Sequence, residues 1–378
     1  MLTLAIDYTP AYEQGGGIGR YVRELVQALA AVDNQNTYRL FVSGTPTHRL
    51  PAPPGPNFTW ASTRLSPRWM ARLWHRTRVP LPVEVFTGKI QLYHATDFVL
   101  PPTRQKTRTL LTVHDLSFVR VPEAASPRLK AYLDTVVPRS LQRADHVLAD
   151  SQSTKDDIVE IYGLSPTRIT PLLSGVSPQF KPLDHMQVAA VRHKYGLGDT
   201  PFILSVGTVQ PRKNYARLVQ ALRLLRDHNL DINLVISGGK GWLEDSLYAA
   251  IAETGLTNAV RLIGFAAESD LPALYNAATC FAFPSLYEGF GLPVLEAMAC
   301  GTPVMTSDIS SLPEVAGDAA LLVDPYNVDA ITEALYRLIT DTVLRNQLIQ
   351  RGQIHADSFT WERAARQLRT IYEHLTGT

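Results

Sequence analysis

The segment FILSVGTVQPRKNYARLVQALRLLRDHNLDINLVIS, residues 202–237, decides the fold of this chain. Phe202–Val206 and Ile232–Ser237 are short apolar runs that predict buried strands, and the amphipathic stretch Tyr215–Asp227 between them predicts a helix. A strand, a helix and a second strand in this order form the unit from which parallel sheets are built. The segment therefore predicts an α/β domain with a parallel sheet.

The same alternation of strands and helices continues on both sides of this segment. At the N terminus, an apolar strand at Leu2–Ile6 precedes a glycine-rich loop at Gly15–Gly19 and an amphipathic helix. Further strand-like runs are Tyr38–Val42, Thr109–Val113, His146–Ala149, Val260–Ile263, Cys280–Phe283, Pro303–Thr306 and Ala320–Val323, and a further helix is predicted at Trp242–Thr254. The predicted fold is α/β, with two Rossmann-like, doubly wound domains that face a central cleft.

The chain has 378 residues, which is too long for one hydrophobic core of ordinary size. SGVSPQFKP, at Ser174–Pro182, combines glycine, prolines and serines and is typical of a linker. We therefore expect an N-terminal domain at residues 1–178 and a second domain at 179–360. A last helix at 361–378 either closes the second domain or crosses back to the first.

Composition places the chain among ordinary globular proteins, with 45% hydrophobic and 19% charged residues. No apolar run reaches the roughly 18 residues that span a membrane, and the first residues lack the pattern of a signal peptide, so we expect a cytoplasmic protein. The two cysteines, Cys280 and Cys300, lie in apolar segments and are expected to pack in the core. No nucleic-acid-binding motif is present, and the pI of about 7.8 gives no support to that class of partner.

Arg64–Arg78 contains five arginines and no acidic residue, interleaved with Trp69 and Trp74. A basic and aromatic amphipathic stretch of this kind can lie on an anionic membrane surface. The alternative is a solvated helix whose tryptophans pack on the domain. The sequence leaves both interpretations open.

Two adjacent cations, Arg212 and Lys213, follow the carboxyl end of the strand Phe202–Val206 and precede a helix. Cations at this position suit a diphosphate, because charge-assisted hydrogen bonds to phosphate are strong. The glycine-rich loop that holds Gly16 and Gly17 also lies between a strand and a helix. Its backbone N–H groups suit an anion, although a simple tight turn explains the glycines equally well.

The segment PSLYEGFGLPVLEAMACGTP, Pro284–Pro303, places Glu288 in a loop and Glu296 in a predicted helix from about Pro293 to Cys300. Eight helical residues would separate the two carboxylates by roughly 12 Å, which is too far for the acid pair of a glycosidase. Carboxylates that bind sugar or ribose hydroxyls fit this spacing better.

His114 and Asp115 end a predicted strand, and a histidine there can donate to a hydroxyl or to a developing charge. His94 is a weaker candidate of the same kind, and either histidine can instead be structural. The sequence contains no D-x-D pair, no H-E-x-x-H and no cysteine cluster, so we predict neither a metal ion nor another cofactor.

Four motifs together, GGGIGRY (15–21), VHD (113–115), GTVQPRKN (207–214) and PSLYEGFGLPVLEAMACGTPV (284–304), resemble the retaining glycosyltransferases of family 4, which have the GT-B fold. The resemblance implies an N-terminal domain that binds the acceptor and a C-terminal domain that binds a nucleotide-sugar donor. Arg212 and Lys213 would hold the donor diphosphate, and Glu296 would bind the ribose. The other implied site residues are Glu288, Phe290, Gly291 and Leu292 for the sugar, Gly264 and Phe265 for the base, and Gly16, Gly17 and His114 from the N-terminal domain.

The resemblance also implies retaining, metal-independent transfer of a hexose to a glycan or lipid-linked acceptor, at the inner face of the membrane if Arg64–Arg78 binds lipid. The segments HDLSF and PRKN are most similar to those of bacterial polysaccharide mannosyltransferases, which favours GDP-mannose as donor. UDP-glucose and UDP-N-acetylglucosamine are the alternative donors. A sugar-nucleotide epimerase, a sugar phosphorylase and a non-enzymatic sugar-binding protein are the competing classes.

Overall fold

The structure is a computed structural model that describes residues 1–77, 79–241 and 244–377. These residues form two compact units, each built around its own sheet. The first unit contains Met1–Val119, Pro127–Gly175 and the residues from Thr360 onward, and the second contains Arg120–Ser126 and Val176–Phe359. The chain passes from one unit to the other after Gly175, within the stretch whose composition predicts a linker.

The sheet of the first unit has seven parallel strands within the described residues. They are β1 (Thr3–Asp7), β2 (Thr37–Ser43), β3 (Phe58–Thr63), β4 (Leu92–Ala95), β5 (Arg108–Val113), β6 (His146–Ala149) and β7 (Ile169–Pro171). Their order is β3-β2-β1-β4-β5-β6-β7, and Leu4 of β1 lies opposite both Tyr38 and Leu92. Every side chain of β4 is buried, as expected for a parallel sheet covered on both faces.

The helices among the first 175 residues are α1 (Thr9–Glu13), α2 (Gly17–Val32), α3 (Pro67–Ala71), α4 (Glu84–Thr87), α5 (Ser117–Arg120), α6 (Pro127–Arg143) and α7 (Gln152–Tyr162). α7 shows how local sequence sets the helix ends. The side chain of Ser151 accepts a hydrogen bond from the backbone N–H of Thr154, and Gly163 ends the helix in the left-handed conformation.

The second unit has a six-stranded parallel sheet in the described part of the chain. Its strands are β8 (Phe202–Val206), β9 (Asn233–Ser237), β10 (Val260–Gly264), β11 (Cys280–Phe283), β12 (Val304–Ser307) and β13 (Ala320–Val323). The helices are α8 (His185–Lys194), α9 (Tyr215–Asp227), α10 (Asp245–Thr254), α11 (Leu271–Ala277), α12 (Leu292–Ala299), α13 (Leu312–Ala316), α14 (Val328–Thr340) and α15 (Thr342–Asp357). The strand order is β10-β9-β8-β11-β12-β13.

The last helix, α16 (Trp361–Thr376), belongs to the first unit, where it packs against α2. The hydroxyl of Thr360 accepts from the N–H of Arg363 and caps its first turn. Tyr372 from this helix is fully buried, and its ring lies 6.4 Å from that of Tyr38 on β2. Tyr372 therefore anchors the helix to the sheet of the first unit.

Both sheets have the doubly wound order that the sequence predicts. In each sheet the order reverses at the first strand, between β1 and β4 in the first unit and between β8 and β11 in the second. Ligands of such sheets bind outside the carboxyl ends of the strands at this reversal point. The loops that follow these four strands are therefore where a site is expected.

Several details of the sequence-based description need correction. The Gly15–Gly19 segment is only partly a loop, because α2 begins at Gly17. The helix expected from Pro293 to Cys300 runs from Leu292 to Ala299 instead, with Gly291 as its N-cap. The sequence also failed to predict the strands β3, β4 and β7. The helix expected from Trp242 begins at Asp245, and Trp242 itself lies outside the described residues.

Cys280 on β11 and Cys300 at the end of α12 are both buried and unpaired with each other, which confirms the prediction that they pack in the core. Burial raises the pKa of the Cys280 thiol to about 12, so it stays protonated at neutral pH. Over the residues that the structure describes, no helix is both long enough and apolar enough to cross a membrane.

Candidate active site

The predicted diphosphate-binding residues lie in a tight turn at the reversal point of the second sheet. Arg212 and Lys213 belong to a 3₁₀ turn after β8, and Asn214 closes the turn with φ of 61°. The side-chain amide of Asn214 donates to the carbonyl oxygens of Pro284 (3.0 Å) and Pro325 (2.7 Å). Asparagine tolerates the left-handed conformation better than most residues, and its amide ties the turn to the loop after β11.

Glu288 lies between the two cations. Its Oε2 is 2.6 Å from Nη1 of Arg212, and its Oε1 is 2.6 Å from Nζ of Lys213. Nη1 of Arg212 also donates to the carbonyl oxygen of Tyr287, at 2.6 Å. Burial alone would raise the pKa of Glu288, but attraction to Arg212 and Lys213 outweighs it and lowers the pKa to about 2. Glu288 is therefore a charged carboxylate at neutral pH.

Lys213 is held on its other sides by an aromatic ring and a glycine. Its Nζ lies 4.5 Å from the ring centroid of Phe283, a cation–π distance. A Cβ at Gly207 would come within 2.9 Å of Cε of Lys213, so a larger residue at this position would shift the lysine side chain. Phe283 and Gly207 were not singled out from the sequence, although both stand at the carboxyl ends of predicted strands.

The loop that carries Glu288 is fixed by two serines that sequence reasoning missed. The N–H of Glu288 donates to Oγ of Ser310 at 3.1 Å. The Ser311 hydroxyl lies 2.9 Å from the carbonyl oxygen of Glu288 and 2.6 Å from that of Phe290. Gly291 follows with φ of 124°, a conformation that favours glycine. The backbone from Glu288 to Gly291 therefore has a defined path into α12.

The remaining predicted donor residues occupy different positions in the second unit. Glu296 on α12 is 1% exposed, and its Oε2 accepts from the Tyr275 hydroxyl at 2.9 Å. Leu292 begins the same helix. Gly264 ends β10, an edge strand two positions from β8, and the neighbouring Phe265 is well exposed. The structure thus brings Arg212, Lys213 and Glu288 into direct contact and places Gly264 and Phe265 further along the same sheet edge.

In the first unit, His114 is buried after β5 and uses both ring nitrogens. Nε2 donates to the carbonyl oxygen of Thr96 at 2.8 Å, and Nδ1 lies 2.9 Å from Oδ2 of Asp150. Burial alone would lower the pKa of His114, but attraction to Asp150 outweighs it and raises the pKa to about 9. The ring is therefore an imidazolium at neutral pH, held between the loops that follow β4 and β6.

His94 has a different environment from His114. Its Nδ1 lies 2.8 Å from the Tyr372 hydroxyl, and its Nε2 lies 2.8 Å from Oγ1 of Thr112. Burial lowers its pKa to about 3, so the ring stays neutral. These contacts join α16 to β4 and β5, which is a structural role.

Gly16 and Gly17, the predicted anion-binding glycines, are exposed at the start of α2. A Cβ at either position would meet nothing within 4 Å, so no packing requirement explains these glycines. Asp115 is used locally, because its Oδ1 accepts from the N–H and the hydroxyl of Ser117. Over the described ranges, no group of three or more His, Cys, Asp or Glu side chains is arranged to hold a metal ion.

Comparison with known proteins gives matches along almost the whole chain. Residues 15–180 match the family described as Glycosyltransferase Family 4, and residues 188–355 match Glycosyl transferases group 1. The O-antigen chain mannosyltransferase B of Escherichia coli is 33% identical over 95% of this chain and 96% of its own. The D-inositol 3-phosphate glycosyltransferase of Salinispora arenicola is 33% identical over 61% of this chain and 54% of its own.

Solved structures with the same fold include a sucrose-phosphate synthase and a glycosyltransferase. The sucrose-phosphate synthase of Thermosynechococcus elongatus superposes with a TM-score of 0.77 at 23% identity, and the whole of both chains is covered. WaaG, a glycosyltransferase involved in lipopolysaccharide biosynthesis, gives 0.73 at 18% identity, again over both whole chains. At this level of identity the likeness establishes the fold, two α/β units with parallel sheets, and nothing finer.

Proposed function

We propose that this chain, which belongs to the glycosyltransferases of family 4, transfers mannose from GDP-mannose to a glycan or lipid-linked acceptor, with retention and without a metal ion. The protein is a hexosyltransferase of the GT-B fold. We propose its donor, the stereochemistry of transfer and the independence from metal ions. The observation that carries it is the contact of Arg212 and Lys213 with Glu288 at the reversal point of the second sheet.

In this proposal the second unit binds the donor. Arg212 and Lys213 hold the diphosphate and stabilise the negative charge that grows on it as the bond to the sugar breaks. Glu296 accepts from the ribose hydroxyls, and Gly264 and Phe265 bind the base. Glu288 and the backbone from Phe290 to Leu292 bind the sugar. Two fixed cations supply what a divalent metal supplies in other transferases, which is why we propose a metal-independent reaction.

The proposed chemistry is attack on the same face of the sugar that the phosphate leaves. The bond from C1 to the phosphate oxygen breaks, the acceptor oxygen bonds to C1, and the acceptor proton passes to the leaving phosphate oxygen. A covalent intermediate on Glu288 is disfavoured, because that carboxylate is neutralised by two cations at 2.6 Å. The products are the mannosylated acceptor, with its anomeric configuration retained, and GDP.

Mannose is favoured as the transferred sugar by the names of the relatives. Besides the O-antigen chain mannosyltransferase B, the serotype-specific mannosyltransferase WbdA of Escherichia coli is 33% identical over 59% of this chain. A structural neighbour, Anabaena HepE, is known in complex with UDP-glucose, but at 18% identity the similarity supports the fold alone. UDP-glucose and UDP-N-acetylglucosamine therefore remain the alternative donors to test.

The experiment is a donor panel with the purified chain. GDP-mannose, UDP-glucose and UDP-N-acetylglucosamine are each incubated with a mannose-terminated oligosaccharide, in separate reactions with Mg²⁺ and with EDTA. The product is analysed by mass spectrometry and by proton NMR of the new anomeric position. We expect one added hexose from GDP-mannose, with the α configuration of the donor. Transfer from a UDP-sugar alone, inversion at C1 or loss of activity in EDTA would each overturn the corresponding part of the proposal.

We further propose that the stretch Arg64–Arg78 contacts an anionic membrane at the cytoplasmic face, where a lipid-linked acceptor would be presented. Arg78 lies outside the described residues. Arg64, Arg68, Arg72 and Arg76 are all exposed and follow at intervals of four residues. Trp69 is 60% exposed, with the Arg72 guanidinium 5.0 Å from its ring centroid.

Trp74, in contrast, is 9% exposed and packs near Phe41 and Phe86, so the stretch has one core tryptophan and one surface tryptophan.

Vesicle sedimentation tests whether Arg64–Arg78 contacts an anionic membrane. Wild type should pellet with phosphatidylglycerol vesicles and not with phosphatidylcholine vesicles, and Trp69→Ala with Arg72→Gln should remain in the supernatant. Equal binding of both vesicle types, or unchanged pelleting of the variant, would exclude it.

A further inference from the structure

We infer that Glu288 competes with the diphosphate for Arg212 and Lys213 and thereby speeds the release of the nucleoside diphosphate product. This inference rests on the proposed function, because it takes the two cations as the diphosphate site. It gives Glu288 a role besides contact with the sugar: it is the counter-ion to which the cations return after each turnover.

The geometry of the ion pairs leads to competition. Each carboxylate oxygen of Glu288 is paired with one cation, at 2.6 Å in both cases. All three side chains are largely buried, with at most 14% of each exposed. A diphosphate that binds Arg212 and Lys213 is attracted by the same two positive charges, so it shares these charges with Glu288 or displaces the carboxylate.

The backbone around Glu288 is held in place, which keeps its carboxylate close to the two cations throughout the reaction. Its N–H is bonded to Ser310, its carbonyl oxygen to Ser311, and the chain turns at Gly291 directly after it. Attraction to the two cations lowers the pKa of Glu288, so the carboxylate remains charged at neutral pH. A diphosphate on the two cations therefore has a fixed negative charge beside it.

The charge of the product explains why such a competitor is useful. The terminal phosphate of a free nucleoside diphosphate is no longer esterified to a sugar, and its second ionisation, with a pKa of about 6, adds negative charge at pH 7. Two cations alone would hold the product more tightly than the donor. Glu288 opposes this, because it repels the extra charge and pairs again with Arg212 and Lys213 as the product leaves.

The opposite role for Glu288 is preorganisation, in which the carboxylate only holds the two cations in place for the diphosphate. The two roles predict opposite effects of removing the Glu288 charge on the affinity for GDP. If Glu288 competes, removal of its charge strengthens binding of GDP and slows its dissociation. If it only preorganises, removal of its charge frees the two side chains and weakens binding.

The test compares GDP binding by wild type, Glu288→Gln, Glu288→Asp and Lys213→Ala, with calorimetry for the Kd and stopped-flow displacement for the dissociation rate. Asp227→Asn is the matched control, because it also removes a carboxylate paired with an arginine, Arg223, but on the exposed face of α9. We expect Glu288→Gln to bind GDP about tenfold more tightly or better, with a slower dissociation rate, and the control to match wild type.

Weaker or unchanged GDP binding by folded Glu288→Gln would overturn the inference. If that variant does not fold, Glu288→Asp decides. Its carboxylate is one methylene shorter and lies further from both cations, so it competes less with the diphosphate, and this variant should also bind GDP more tightly than wild type. The failure of the proposed site and the failure of the competition give different results. If Lys213→Ala binds GDP as tightly as wild type does, the proposed diphosphate site is wrong. If Lys213→Ala loses GDP binding but Glu288→Gln does not bind GDP more tightly, only the competition is wrong.

Discussion

His114 and Asp150 form a buried ion pair in which Nδ1 of the ring lies 2.9 Å from the carboxylate Oδ2. The pair joins the loops after β5 and β6 of the first unit. With a folded-state pKa of about 9, His114 contributes stability that is complete below its usual pKa of about 6.5 and is lost as the pH rises through 9. The free energy of unfolding should therefore fall between pH 7 and pH 10.

Asp150→Asn should reduce this effect, because burial lowers the pKa of His114 and the attraction of Asp150 is the largest influence that raises it. The measurement is an NMR titration of the His114 ring nitrogens in wild type and variant, together with denaturant unfolding at pH 7 and pH 10. Asp134→Asn, which breaks the exposed pair with Lys130, is the control. A His114 pKa that is the same in Asp150→Asn and in wild type would contradict the role given to the pair.

Gly207→Ala should weaken diphosphate binding, because the new Cβ would approach Cε of Lys213 to 2.9 Å and push its ammonium group away from Glu288. We expect a loss of about tenfold in GDP affinity, equal to one charge-assisted hydrogen bond. The matched control is Gly239→Ala, where a Cβ meets nothing within 4 Å. If both variants bind GDP as wild type does, Lys213 does not need the path that Gly207 leaves open.

The two tryptophans of the basic stretch should behave in opposite ways. Trp74 is buried and its indole N–H donates to the carbonyl oxygen of Leu81 at 2.8 Å, so Trp74→Ala should lower the free energy of unfolding by about 3–5 kcal/mol. Trp69 is 60% exposed, and Trp69→Ala should change the free energy of unfolding by less than about 0.5 kcal/mol. Urea unfolding of the two variants measures this. Equal destabilisation would mean that Trp69 belongs to the core.

Two strands that the sequence predicts with their exact bounds lie in the interior of the second sheet. Cys280–Phe283 is a continuous apolar run and Phe202–Val206 is interrupted only by Ser205, and the structure gives both strands the same bounds. The missed strand Phe58–Thr63 lies at the sheet edge and is only partly buried, so it lacks such a run. Leu92–Ala95 contains His94, whose partner Tyr372 is 278 positions away, so nothing local marks the histidine as a core residue.

The sequence singles out the residues of the candidate site, but it does not predict which of them contact one another. Arg212, Lys213 and Glu288 each follow the carboxyl end of a predicted strand, which singles them out. Their contact depends on β8 and β11 being neighbours, and these strands are not consecutive in the chain. Asp150 was also missed, although β5 and β6 are consecutive in the chain and neighbours in the sheet. The available signal was its position directly after the strand His146–Ala149, as His114 directly follows Thr109–Val113.

The central claim is that Arg212 and Lys213 hold the diphosphate of a nucleotide sugar, and calorimetric titration of GDP, UDP and ADP in EDTA tests it most directly. Wild type should bind GDP most tightly, and Lys213→Ala should lose about 10- to 100-fold in affinity, the value of a charge-assisted hydrogen bond. Arg223→Ala, an exposed cation on the helix that follows, should bind as wild type does. No binding of any diphosphate, or equal binding by wild type and Lys213→Ala, would contradict the claim.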